Sequence, residues 1–432
     1  MATVRINFEE KIGKIKPMHA VGQAPISGLG KEHFNKFHYL SDIKAPYSRL
    51  HDVRGLFGGG VFVDIPNIFR NFDADENDPA SYDFTFTDAL INALVKAGVE
   101  PYYRLGVTIE NQAEIKAYHI NPPKDYAKWA RICEHIVAHY IDGWADGYRH
   151  KITYWEIWNE PDDSNTLRVS QTWTGTAEDY YRLYDVAAKH LKSVFGDRIK
   201  VGGYASCGFY AIVTEWGKKD ARCNYYIEFF HGFMKYIKES GAPLDFFSWH
   251  SYDPTATTVL MAKWVREQLD AYGFKSTESH LNEWNPFSNE RGTAHHSAEV
   301  MAMMLAMQNA PLDILVFYDA RITGGQYGGF FDPMKYRPWH AYYSAVVFSK
   351  LYELENQVAL ECDTEELYAV CASSGKKTVI ALSNLTGKTV PLKIDGADLT
   401  DARYYVLDQE RLLSWSPAVK EIENNAVVMI EI

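Results

Sequence analysis

Between residues 19 and 320 the chain repeats one pattern: a short apolar or β-branched run, then in most cases a stretch with helical periodicity. The runs fall at 19–25, 45–53, 100–107, 153–161, 199–206, 245–252, 280–285 and 313–320. Helical stretches read at 89–97, 126–140, 177–195, 225–240, 259–272, 294–310 and 340–350. In the second of these Trp129, Cys133, Ile136 and Tyr140 recur every three or four residues, and Gly98 closes the first as a natural C′ residue. Thr176 is placed to cap the third, with Asp179 three positions on. Strands alternating with helices predict an α/β protein with a parallel sheet, and eight strands predict closure into a (β/α)₈ TIM barrel. Periodicity alone fits a doubly wound sheet equally well, so the choice of barrel rests on the motifs below.

After about residue 352 the pattern changes. Runs at 367–371, 377–384, 390–394, 402–407 and 427–432 are short, rich in β-branched residues, and separated by Gly, Asp and Asn turns. They predict an antiparallel module. Residues 3–8 alternate apolar and polar positions and are expected to join it. The expected division is a catalytic barrel over 15–350 and a small accessory antiparallel β-sandwich from 1–14 plus 351–432.

Composition narrows the function classes. The net charge is −12 and no Lys/Arg run is present, so a nucleic-acid partner is not expected. No run of 18 apolar residues occurs, which argues against a membrane span. The five cysteines, Cys133, Cys207, Cys223, Cys362 and Cys371, are odd in number and widely spaced. That pattern fits reduced thiols better than a disulfide framework or a zinc site, and with no basic-then-apolar leader it places the chain in the cytoplasm. Aromatic residues reach 14 %, with 11 Trp and 29 Tyr. Most should fill the core, but flat rings also stack on the C–H faces of sugars.

The chemistry concentrates at two strand ends. Tyr154-Trp155-Glu156-Ile157-Trp158-Asn159-Glu160-Pro161 ends a strand on Asn-Glu-Pro, where the proline stops the strand and leaves Glu160 at its carboxyl end. Leu281-Asn282-Glu283-Trp284-Asn285 sets a second carboxylate at the end of another strand. Counting strands, Glu160 ends the fourth and Glu283 the seventh, which face each other across a barrel mouth, the catalytic face of this fold. Retaining glycoside hydrolysis needs two carboxyls about 5–5.5 Å apart, one to protonate the leaving oxygen and one to attack the anomeric carbon.

On these residues the sequence resembles the clan A glycoside hydrolases, and within the clan family 39, the β-xylosidase and α-L-iduronidase family. The resemblance covers about residues 15–350 and is most specific at Trp158-Asn159-Glu160-Pro161. It implies a retaining, exo-acting β-xylosidase-like enzyme acting on plant-type oligosaccharides, with Glu160 as acid/base and Glu283 as nucleophile. It also implies that Asn159 binds the sugar 2-hydroxyl. Ser48-Arg49-Leu50-His51 matches the strand-two Arg-x-His, so that Arg49 would hold Glu283 ionised and lower its pKa while His51 meets a hydroxyl. His250-Ser251-Tyr252 matches the strand-six His-x-Tyr, which implies that Tyr252 orients the nucleophile and His250 lines the site. Trp158, Trp249, Trp284, Tyr318 and Phe331 complete the expected substrate contacts, the first three and Phe331 as stacking platforms. α-L-Arabinosidase, β-glucosidase, β-galactosidase and iduronidase activities would use the same machinery, as would an inactive carbohydrate-binding homologue.

Departures from the family pattern bear on the sugar. Strand three reads Tyr102-Tyr103-Arg104-Leu105-Gly106 and strand eight Phe317-Tyr318-Asp319-Ala320-Arg321. Arg104 and Arg321 are expected to pair with nearby acids, Asp319 among them, rather than with a uronate. Gly58-Gly59-Gly60 and Gly324-Gly325-Gln326-Tyr327-Gly328-Gly329 lack the context of a phosphate cradle and read as rim loops. No metal-ligand spacing is present, the acid-rich 73–78 segment reads as a solvated loop, and no cofactor is expected. The expected partner is a glycoside or oligosaccharide; homo-oligomerisation stays open.

Overall fold

The computed structural model describes the chain apart from residues 26–34, 54–62, 110–119, 166–169, 287–289 and 323–326. After a long first strand, β1 (Ala2–Lys14), eight strands follow: β2 (Ala20–Gly22), β3 (Tyr47–Leu50), β4 (Glu100–Leu105), β5 (Tyr154–Ile157), β6 (Lys200–Ser206), β7 (Phe246–Ser251), β8 (Glu278–Trp284) and β9 (Ile314–Tyr318). Every neighbouring pair is parallel, and β2 pairs with β9, so the sheet closes as a barrel. All eight expected strands are present, and each lies within or close to its expected bounds.

The helices form the outer ring: α1 (His38–Asp42), α2 (Ile65–Ile68), α3 (Thr85–Lys96), α4 (Tyr126–Ile141), α5 (Ala177–Phe195), α6 (Tyr210–Val213), α7 (Glu215–Lys219), α8 (Ala221–Ser240), α9 (Thr255–Tyr272), α10 (Ala294–Asn309) and α11 (His340–Glu353). Their ends follow capping chemistry. Thr176 and Asp179 form a reciprocal capping box on α5, Asp125 accepts from Lys128 N–H on α4, and Gly241 ends α8 in the left-handed region at φ 71°. The short α1, α2, α6 and α7 carry too few periodic positions to be seen in the sequence.

Inside the barrel, Ala20, Tyr102, Tyr154, Phe246, Ile314 and Val316 form one buried layer, with the Tyr102 hydroxyl 3.1 Å from His280 Nδ1. This layer closes the floor, so inward residues further along each strand face the mouth. The outer faces of the same strands pack on the helices in the main core.

The remaining strands are β10 (Asn356–Cys362), β11 (Leu367–Ser373), β12 (Thr378–Asn384), β13 (Val390–Asp395), β14 (Arg403–Leu407), β15 (Ser414–Ser416), β16 (Glu421–Ile422) and β17 (Val427–Glu431). With β1 they hydrogen-bond into one nine-stranded sheet, ordered β15-β14-β17-β12-β11-β10-β1-β13-β16. The amino-terminal strand joins this sheet as expected, and all but one of the pairings are antiparallel. The exception is β1 with β13, which run parallel from Ala2↔Leu392 to Arg5↔Asp395. One sheet face carries Val4, Ile380, Leu382, Val428 and Ile430 in a separate apolar cluster. The other contributes Val370, Ala372, Ala381 and Met429 to the main core, and Ser383 donates to Ala298 O of α10 at 2.7 Å. Among the described residues no helix is long and apolar enough to cross a membrane.

Candidate active site

All four residues of β5 are buried, with Trp155 and Ile157 turned to the helix layer and Glu156 to the interior. Beyond the strand the backbone kinks: Trp158 and Glu160 take positive φ, 74° and 48°. Such backbone costs about 1–3 kcal/mol per residue and persists only where surroundings hold it. Here the Glu160 N–H donates to Tyr204 O (3.2 Å) and Ala205 O (3.1 Å), and the Thr172 hydroxyl donates to Glu160 O. Asp162, fully buried, accepts from the Ser206 hydroxyl at 2.7 Å and from Cys207 N–H at 3.2 Å. These bonds pin the Glu160 loop to the end of β6.

Glu283 reaches the interior through a register shift. Trp249 pairs with Leu281 but His250 pairs with Glu283, so β8 carries one extra residue against β7. Asn282 and Glu283 therefore both address the barrel interior, Asn282 donating to Glu156 Oε1 and Glu283 accepting from Arg49.

Arg49 organises the floor of the mouth. Wholly buried, it donates from Nε to Glu156 Oε2 (2.8 Å), from Nη1 to Glu283 Oε2 (3.1 Å) and from Nη2 to Asn159 Oδ1 (2.6 Å). The Tyr252 hydroxyl donates to the other Glu283 oxygen, Oε1. His250 Nδ1 lies 2.7 Å from Glu160 Oε1 and its Nε2 3.6 Å from Glu283 Oε2. One atom each of Glu160, His250 and Glu283 lie within 4.8 Å of one another, which brings the two carboxyls into one cluster. The same three atoms are close enough to hold a cation, but the Arg49 guanidinium already bonded to Glu283 opposes a second positive charge there.

Burial sets the protonation of the pair. It pushes Glu160 up to about 8, with Asp163 adding to the rise, and Glu283 up to about 7. For Glu283 the rise is opposed by His250, Arg49 and the Tyr252 hydroxyl. Arg49 lowers Glu283 as expected, but desolvation outweighs the guanidinium and the net shift is upward. Burial takes His250 down to about 4, so its imidazole is neutral at pH 7.

His51 sits at 3.4 Å from Asp52 Oδ1, and Tyr318 donates to Asp52 Oδ2 at 2.9 Å and receives from Gln23 Nε2 at 3.1 Å. Asn159 Nδ2, His51 Nδ1 and Gln23 Oε1 are buried without a hydrogen-bond partner among the described residues. Arg321 pairs with Asp319 at 2.7 Å, as expected, and Arg104 pairs with Asp64 at 2.5 Å.

The stacking platforms need correction. Trp249 faces outward, its Nε1 donating to Ser279 Oγ and its ring near Phe209. Trp284 packs edge-on against Phe317 of β9, on the outer, helix-facing side of the barrel. Trp158 lies between Trp129 and Trp173 and donates to Thr172 O. Phe331 packs on Tyr39 and Tyr342. All four are at most 2 % exposed and offer no open face. Glu156, Asn282, Asp52, Gln23 and Tyr327 went unnoticed in the sequence as site residues. Glu156 was legible, because it shares the inward face of β5 two residues before the kink. Tyr327, whose ring lies 5.3 Å from Tyr252 and 5.1 Å from Tyr318, arrives from a loop with no local signal. The expected Gly58–Gly60 rim loop and residues 324–326 of the second lie outside the described residues.

Residues 2–304 match the family model described as glycosyl hydrolases family 39. A β-xylosidase of Geobacillus stearothermophilus is 27 % identical over 239 residues, which are 54 % of this chain and 42 % of the relative. A β-xylosidase of Caldicellulosiruptor saccharolyticus is 26 % identical over 315 residues, 68 % of this chain and 57 % of the relative. The matched region thus spans about half the length of these curated relatives. Among solved structures, a glucosidase from Croceicoccus marinus superposes with a TM-score of 0.77 at 20 % identity, covering 100 % of this chain and 98 % of that one. A GH39 β-xylosidase from Caulobacter crescentus superposes at 0.69 and 16 % identity, covering 100 % and 99 %. At such identities these structures speak to the fold alone.

Proposed function

The chain belongs to the glycosyl hydrolases family 39, and on that footing we propose that it is a retaining glycoside hydrolase, an exo-acting β-xylosidase-like enzyme with Glu283 as nucleophile and Glu160 as acid/base. The observation that carries this reading is the carboxyl pair, Glu283 buried and Glu160 half-buried, with one oxygen of each within 4.8 Å of the other, at the ends of the fourth and seventh barrel strands. The two carboxyls are held differently: Glu283 by a guanidinium and a phenol, Glu160 by a neutral imidazole.

The Glu283 carboxylate attacks the anomeric carbon, the glycosidic C–O bond breaks, and the departing oxygen takes the proton of Glu160. Esterification removes the charge on Glu283. The Glu160 carboxylate then takes a proton from water, whose oxygen attacks the anomeric carbon as the ester pair returns to Glu283. Arg49 keeps its bonds to Glu156 and Asn159 throughout, so the returning negative charge meets a fixed donor rather than one that must reorganise. The unpartnered Asn159 Nδ2 is available to a 2-hydroxyl. The curated β-xylosidase relatives support xylose as the sugar. Five unpaired cysteines support a reducing, cytoplasmic setting.

The test is a panel of p-nitrophenyl β-xyloside, β-glucoside, β-galactoside, α-L-arabinoside and an iduronide analogue, with Glu283→Gln as control. Turnover of the β-xyloside that is lost in the variant is the expected result; turnover that survives in Glu283→Gln removes Glu283 from the reaction.

A further inference from the structure

Three buried polar atoms without a partner among the described residues, Gln23 Oε1, His51 Nδ1 and Asn159 Nδ2, lie beyond the carboxyl ends of barrel strands. Gln23 follows β2, His51 follows β3, and Asn159 follows β5. In a closed eight-strand barrel β2 and β3 face β6 and β7. That opposite side is built from the segment after β6. Cys207 N–H is tied to Asp162, two residues from Glu160, and the Tyr210 hydroxyl accepts the Tyr252 N–H at 3.0 Å. A Cβ on Gly208, whose φ is 122°, would meet His250 O at 2.7 Å and the Tyr210 ring at 2.8 Å, so the Tyr210 ring lies directly over the end of β7.

Trp216 rides on this tyrosine. Its ring lies 5.1 Å from that of Tyr210 at 38°, yet it is 53 % exposed. The helix that carries it packs closely on the Tyr210 backbone. Thr214 caps α7 by accepting from Gly217 N–H, and a Cβ on Gly217 would meet the Tyr210 backbone carbon at 2.4 Å. A large ring thus stands half in water one ring away from the tyrosine that bonds Tyr252, whereas Trp158, Trp249, Trp284 and Phe331 are buried and closed to substrate.

We propose that Trp216, backed by Tyr210, is the platform for the leaving-group sugar, a pyranose stacked by its apolar C–H face beyond Glu160. The inference rests on the glycosidase reading above, because the proton of Glu160 defines which side the leaving group departs on. It commits the enzyme to oligosaccharides with a second ring rather than to small alkyl glycosides. A Trp face against a sugar ring excludes water from the adjacent glycosidic oxygen without touching the reacting atoms.

The test compares β-1,4-xylobiose with β-xylosyl fluoride, whose leaving group is one atom and cannot stack. For Trp216→Ala, kcat/KM on xylobiose should fall about tenfold through KM, about 1.4 kcal/mol, while the fluoride stays within about twofold. Trp216→Phe should keep most of the xylobiose activity. Equal losses on both substrates, or an unchanged xylobiose KM, overturn the platform. Fluoride turnover by the unaltered protein stands apart from this: with it, an unaffected xylobiose KM sinks only the platform; without turnover of either substrate, the glycosidase reading and the platform both fail.

Discussion

Tyr252→Phe removes the hydroxyl that donates to Glu283 Oε1 and leaves the Arg49 bond to Oε2 in place. A hydrogen bond to a charged group contributes about 1.5–3 kcal/mol, and 1.36 kcal/mol moves a pKa by one unit, so Glu283 should rise by about one to two units. It starts at about 7. At pH 7 the ionised share should therefore fall from about half to between about a tenth and a hundredth, and kcat/KM by about five- to fiftyfold. At pH 9 the carboxyl ionises in both proteins, and the deficit should narrow to about twofold or less. The assay is kcat/KM for an aryl xyloside from pH 5 to 9.5, read as the acidic limb. A limb that moves toward alkaline pH is expected; a deficit of constant size at every pH would refute the claim that Tyr252 acts on the ionisation of Glu283.

Glu160→Ala should slow an alkyl or disaccharide substrate by about 10²–10⁴-fold and an activated aryl glycoside far less, because only the poor leaving group needs the proton; equal damage to both would remove Glu160 from the acid role. Arg49→Ala leaves the Glu156 and Glu283 carboxylates without their buried cation and should cost about 3–5 kcal/mol of stability by urea unfolding, and Arg49→Lys should recover little, since one ammonium cannot reach three acceptors in a fork. Glu283 holds its proton up to about 7 when folded and to about 4.5 when unfolded. The folded state therefore carries the extra proton between those values, and stability is lost as pH rises through them. Glu283→Gln should consequently gain more stability over the unaltered protein at pH 8 than at pH 5; an equal difference at both would contradict the raised pKa.

Much of the barrel was legible because a βα repeat writes itself locally, in alternation, caps and turn residues such as Thr176 and Gly241. The two glutamates were legible because proline after Glu160 and the strand end at Glu283 fix their position along the chain. The aromatic contacts were misread against a rule that was available: along Phe247-Ser248-Trp249-His250 only alternate residues face inward, so Trp249 and His250 cannot share the site. Asn282 and Glu283 break that alternation through a bulge, which depends on register with β7 and leaves no trace in β8 alone. The parallel pairing of β1 with β13 joins residues far apart in sequence, and the contact of Tyr327 with Tyr252 and Tyr318 depends on how its loop closes. The sign of the Glu283 shift needed the balance of burial against Arg49, a three-dimensional quantity.

The most direct test of the central claim is to trap the covalent intermediate. Incubation with a 2-deoxy-2-fluoro-β-xyloside bearing an activated leaving group slows breakdown of the glycosyl-enzyme more than its formation, and peptide mapping then locates the sugar. The expected result is one label, on the peptide holding Glu283 and on that side chain. A label on Glu160 or elsewhere, or turnover of the parent β-xyloside to the α-anomer with no adduct, would contradict the account.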